Sequence, residues 1–161
     1  MSAHAVLRAG LAGLLLGLAG AAPLRAADDP SPPPPRGAAP AADPLGEARA
    51  HVRAERWPQA LAALRRADLA ADADWNNLMG YVLRKGSPPD LDGAQRHYDA
   101  ALRIQPAHRG ALEYAGELAL MRNDPARARA YLERLQAACP AGCKELSDLR
   151  QALERHGGAP R

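Results

Sequence analysis

Between Asn76 and Pro140 one order of small and large residues is written twice. The first copy has Leu78-Met79-Gly80-Tyr81, then Ala94, Tyr98, Ala101, Leu102 and Pro106. The second has Tyr114-Ala115-Gly116-Glu117, then Ala128, Leu132, Leu135 and Pro140. Ala94 to Ala128, Tyr98 to Leu132 and Pro106 to Pro140 are each 34 residues apart, whereas Gly80 to Gly116 is 36. A period near 34 is the length of a helix pair that cannot bury its apolar face alone and stacks on copies of itself. The two extra residues fall in Gly86-Ser87-Pro88-Pro89, a turn longer than its counterpart before Pro125.

The spacing predicts a first helix over about Ala73 to Lys85 and a second over about Leu91 to Ile104, then a second pair over about Arg109 to Arg122 and Pro125 to Ala137. Gly80, Ala94 and Ala101 are small where two backbones must approach closely, and Leu78, Met79, Tyr98, Leu102 and Ile104 fill the remaining space. Asp90 and Asp124 stand where N-caps belong, and Pro125 follows at the first helical position. Leu135 stands where the earlier copy has Ala101, which predicts looser packing toward the C-terminal end. Upstream, Glu47 to Glu55 and Pro58 to Leu69 form a worn copy, with Ala60, Leu64 and Ala67 in the same order and Trp57 leading in. Downstream, Leu146, Leu149 and Leu153 recur at helical spacing in Lys144 to His156, as in a helix with one apolar side closing the array. Composition agrees: 47% of residues are hydrophobic, mostly Ala and Leu, and there is no Phe. That suits an all-α domain rather than a sandwich of strands.

The pattern resembles the tetratricopeptide repeat family over roughly Trp57 to Leu153. The stretch from His108 to Leu118, followed by Cys139-Pro-Ala-Gly-Cys143, looks like a group of small exported bacterial members of that family. The resemblance implies a right-handed α-solenoid with two clear repeats, one degenerate N-terminal repeat and a C-terminal capping helix. It implies no catalysis and no cofactor. It also implies an inner groove lined by the first helix of each pair. Carried over by helical phase, that stripe holds Asn77, Tyr81, Arg84 and Lys85 in one repeat and Glu113, Glu117 and Met121 in the next. An amide, a phenol and two cations would face two carboxylates and a thioether, a surface suited to a peptide with charges of both signs. The alternatives are a solvated helix face, where spaced charges contribute only a few tenths of a kcal/mol, and, for Tyr81, a place in the core.

The N-terminal part reads as a leader. Arg8 precedes an apolar run from Ala9 to Ala22, shorter than the roughly 20 residues that cross a bilayer, and Leu24-Arg25-Ala26 offers a cut after Ala26. This predicts a signal peptide over residues 1–26, with an uncleaved anchor as the alternative, and a periplasmic or secreted domain. Seven prolines in the 17 residues from Asp28 to Pro44 remove donors and favour extended backbone, so residues 27–45 read as a linker. The helical domain then spans 46–156, with a short tail over 157–161. Losing Arg8 and Arg25 with the leader takes the formal charge from +3 to +1, which gives no electrostatic case for nucleic acid or an anionic membrane.

Cys139 and Cys143 are the only cysteines. In an oxidising compartment the pair predicts a disulfide, made possible because Pro140 and Gly142 break the helix between them. Closing so short a loop contributes roughly 2 kcal/mol on chain entropy. A thiol redox site or a soft-metal site is the alternative, and with it the rival function of a periplasmic redox or metal-handling accessory. His108 with Glu113 and Glu117 is a further metal candidate, set against an exposed histidine between repeats. The leading expectation is an adaptor or scaffold in the bacterial envelope that holds a protein or peptide partner.

Overall fold

The computed structural model describes residues 43–158. The expected signal peptide and most of the expected linker lie outside these residues. Among the described residues there are seven helices and no strand: α1 Gly46–Arg53, α2 Trp57–Ala67, α3 Ala73–Lys85, α4 Leu91–Ile104, α5 Arg109–Met121, α6 Pro125–Ala138 and α7 Lys144–Gly158. No described helix is long and apolar enough to cross a membrane.

Four of the helix starts are set by side chains that satisfy otherwise orphaned backbone N–H groups. Asp72 accepts from the Trp75 N–H at 2.7 Å, Asp90 from Gly93 at 2.7 Å and Asp124 from Arg127 at 2.9 Å. At α5 the cap is His108, whose Nδ1 accepts from the Ala111 N–H at 3.1 Å. His108 is only 8% exposed, so the expectation of an exposed histidine between repeats is corrected.

Each helix packs on its neighbour in sequence, and α5 also meets α3 and α7. Within the α3–α4 pair, Gly80 lies under Tyr98. A methyl group added there would stand 2.6 Å from Tyr98 Cε1 and 3.1 Å from the Ala94 carbonyl oxygen. Tyr98, Ala94 and Ala101 are fully buried, so the small residues of the repeated pattern are close-approach positions, whereas Ile104, expected to fill space, is 46% exposed at the last position of α4. Gly116 has a different neighbour: a methyl group there would stand 2.6 Å from Leu149 Cδ2 on α7. Leu135 is also fully buried, in one cluster with Leu118, Leu146 and Leu149. The looser packing expected at Leu135 is therefore absent, because α7 closes over this end and the larger side chain fills the space.

The core has two clusters. One joins α1, α2 and the outer side of α3 through Ala48, Ala60, Leu64, Trp75, Met79 and Val82; the other joins α4 to α7. Leu83 packs against both. Trp75 is anchored by its indole N–H, which donates to the Leu64 carbonyl at 2.8 Å. Leu45 is 3% exposed and belongs to the first cluster, while Asp43 accepts the Leu45 N–H at 3.0 Å. The folded unit thus takes in Leu45, which sequence alone left in the linker. A single leucine amid Ala, Asp and Pro has no period to reveal it. At the other end α7 runs two residues past His156, to Gly158.

Candidate functional site

The side of the molecule where α3, α5 and α7 follow one another carries most of the residues singled out from the sequence. The structure brings them together unequally. Arg84 is the centre of a stack: its guanidinium lies 5.5 Å from the Tyr81 ring and 5.3 Å from the Tyr114 ring, and Nη1 meets Glu117 Oε2 at 2.8 Å. Its side chain is only 8% exposed. The expectation of a free groove cation is corrected here: Arg84 joins α3 to α5. Burial acts against its charge, while the Tyr98 phenol and the Glu117 carboxylate outweigh that and raise its pKa. Arg84 Nε and the Tyr98 hydroxyl are both buried without a hydrogen-bond partner among the described residues.

Tyr81 belongs to an aromatic run, with the Trp57 ring 6.1 Å away edge-on and the Tyr114 ring 4.8 Å away. It is half-buried, between the groove and core alternatives. Sequence reasoning missed Tyr114 as a member of this run. Its place in the repeat is held by Leu78 in the earlier copy, so the pattern marked it as packing. Tyr114 also lies 6.2 Å from Tyr98, and burial followed by the Glu113 carboxyl pushes its phenol up to about 12.

Lys85 is exposed and Met121 is 53% exposed. Met121 Sδ lies 4.0 Å from Arg84 Nη1. Arg84, Glu117, Leu120 and Met121 border a cavity of about 390 Å³ whose far wall is Ala152, Arg155 and His156 of α7. The capping helix therefore supplies part of this face, which its leucine spacing alone does not announce.

Glu113 departs furthest from expectation. It is 7% exposed, not presented on an open stripe. Burial, then the carboxylates of Glu117 and Asp148, push its pKa up to about 7, with Lys144 acting the other way. Asn77 is half-buried, and its Oδ1 is buried without a donor among the described residues. Both residues line a second cavity, of about 410 Å³, with Gln105, Gly110, Tyr114 and Glu145.

His108 does not join Glu113 and Glu117. With Nδ1 accepting from the Ala111 amide, its proton sits on Nε2 and donates to Asp74 Oδ1 at 2.9 Å, so the ring is committed on both sides. Among the described residues no three His, Cys, Asp or Glu side chains are grouped to hold a metal ion. Cys139 and Cys143 are bonded to each other, with Cα atoms 6.0 Å apart, across the turn between α6 and α7. No protein-family model matches the chain. Comparison with curated proteins also finds no match.

Proposed function

We propose that the chain is an exported adaptor of the tetratricopeptide type, a solenoid of helix hairpins that holds a protein or peptide partner against the face of α3, α5 and α7. The solenoid reading is supported by the 34-residue period together with helices that pack in sequence, α5 touching both α3 and α7. The observation that carries the binding role is the exposed Met121 beside the rigid Arg84–Tyr81–Tyr114–Glu117 stack at the mouth of a cavity of about 390 Å³. An exposed thioether is adaptable apolar contact surface. The stack fixes its surroundings before a partner arrives, which limits the freedom lost on association. The disulfide staples α6 to α7 and so steadies the wall formed by Arg155 and His156.

Arg84→Glu is a poor test, because Arg84 is a packing residue and loss of binding would not separate contact from unfolding. Lys85→Glu and Met121→Glu change exposed positions instead. The paired variant is expected to keep its helical circular dichroism and melting temperature and to lose the partner retained by wild type in envelope extract. Arg96→Glu with Arg129→Glu, on the exposed sides of α4 and α6, is expected to keep it. Equal retention by both pairs would contradict the proposal.

A further inference from the structure

The cavity bordered by Asn77, Glu113, Tyr114 and Glu145 has a chemical character of its own. Glu113 is 7% exposed and has no hydrogen-bond or ion-pair partner among the described residues, although most of its side chain is out of water. Its carboxylate oxygens still open onto the cavity, so what meets them there is water or a ligand. Asn77 lines the same cavity, with its Oδ1 turned into the protein and without a donor there. The protein's own cations do not answer these acceptors. Lys144 is paired with Asp148, and Arg84 with Glu117. His108 spends both nitrogens on Asp74 and the Ala111 amide, and Arg109 is exposed at the rim.

We propose that this cavity seats a primary ammonium group carried by the partner polypeptide, either a lysine side chain or a free amino terminus. The inference rests on the adaptor function proposed above and specifies what the partner presents. An ammonium has three donors and no acceptor. The Glu113 and Glu145 carboxylates supply acceptors only, and the Tyr114 ring adds a π face of the kind cations approach. A metal ion fits less well, since no group of three ligating side chains exists among the described residues.

The groups facing Glu113 set its pH behaviour. They are Asp74 from α3, His108 and Arg109 at the start of α5, Glu117 further along it, and Lys144, Glu145 and Asp148 from α7. An ammonium competes with the proton for Glu113. With the free carboxyl near pKa 7, the ionised fraction falls about tenfold between pH 8 and pH 6, and affinity should fall by a similar factor.

The test is a titration of isotope-labelled full-length chain, followed through backbone amide shifts at pH 8. Three capped peptides are the probes: acetyl-Gly-Lys-Gly-amide, the same peptide with norleucine for lysine, and the same peptide with arginine. A fourth, Gly-norleucine-Gly-amide with a free amino terminus, separates the two sources of ammonium. The expected result is saturable shifts at Asn77, Gly110 and Glu113 with the lysine peptide, the free-amino peptide or both. The norleucine peptide should give none, and arginine should bind at least tenfold more weakly. Glu113→Gln should remove the shifts, and Glu145→Gln, at a more open position, should weaken binding several-fold without disturbing the fold. Equal binding of lysine and norleucine peptides, unchanged affinity in Glu113→Gln, or no shift at millimolar peptide would overturn the ammonium seat. If that happens while the Lys85 and Met121 variants still lose the partner, the adaptor reading stands alone. If the peptide binds and those variants keep the partner, it is the docking face that fails.

Discussion

Replacing Glu113 by Gln should stabilise the fold at pH 8 and leave it nearly unchanged at pH 4. In the unfolded chain this carboxyl titrates near 4.5, and in the folded chain near 7. The folded state therefore binds the proton more tightly. The associated stability is complete below about pH 4.5 and is lost as pH rises through about 7. Converted in full, the difference between about 7 and 4.5 corresponds to about 3 kcal/mol. The carboxyl borders an open cavity, and water screens it, so about 1–2 kcal/mol is the magnitude to expect. Gln keeps the shape and stays neutral throughout. Two other sites complicate a profile of one chain taken alone. Burial, followed by Arg96, lowers the pKa of His97, so protonating it on acidification works against folding and gives a slope of opposite sign in the same range. Hydrogen bonds from Arg49 to Asp43 and from Arg66 to Glu47 lower those carboxyls, whose contribution disappears only in stronger acid. The comparison must be between wild type and Glu113→Gln at each pH. Urea unfolding with the disulfide intact, at pH 4 and pH 8, should give a gap near zero at the first and about 1–2 kcal/mol in favour of Gln at the second. A gap of the same size at both pH values, or a less stable variant at pH 8, would refute the assignment of Glu113 as a buried, strained carboxyl.

Other substitutions probe the packing that holds the face in place. Gly80→Ala forces its methyl against the fully buried Tyr98 ring and should cost about 2–3 kcal/mol. Gly116→Ala meets the end of the Leu149 side chain, which can yield in part, and should cost less, about 1–2 kcal/mol; thermal unfolding would rank the two. Arg84→Met removes one member of the ion pair with Glu117 and both ring contacts. A loss of about 2–4 kcal/mol is expected in urea unfolding. A double-mutant cycle with Glu117→Gln should show coupling between the two, and additive effects would deny the pair. Trp75→Phe deletes the indole donor to the Leu64 carbonyl and should cost about 1–3 kcal/mol, read in the same assay.

Helix positions were legible in this chain because their ends are written in Asp, Gly and Pro. The turn between α3 and α4 and the ends of α4 follow from Gly86-Ser87-Pro88-Pro89, Asp90 and Pro106, and the structure places both helices over Ala73–Lys85 and Leu91–Ile104. The start of α6 at Asp124-Pro125 is as plain. Depth was not legible. Helical phase puts Arg84 and Glu113 on a stripe, but phase gives a direction and not a distance to the next element. Arg84 is covered because Tyr114 happens to project across from α5, and Glu113 because α7 tucks against α5. Both depend on residues 30 or more apart brought near each other, Arg84 with Tyr114 and Glu113 with Glu145, which no local period encodes. His108 was misread for a related reason. Its residue type suggested a ligand or a solvent-exposed link, whereas its position one residue before a helix made it a cap.

The central claim is that a protein partner lies on the α3, α5 and α7 face. A photoreactive benzoylphenylalanine at Met121, and separately at Lys85, tests it in the producing cells. The account predicts the same discrete adduct, of one partner mass, from both positions and none from Arg96 or Arg129. Adducts of equal yield from all four positions, an adduct with the mass of two copies of this chain, or none from Met121 and Lys85 would contradict it.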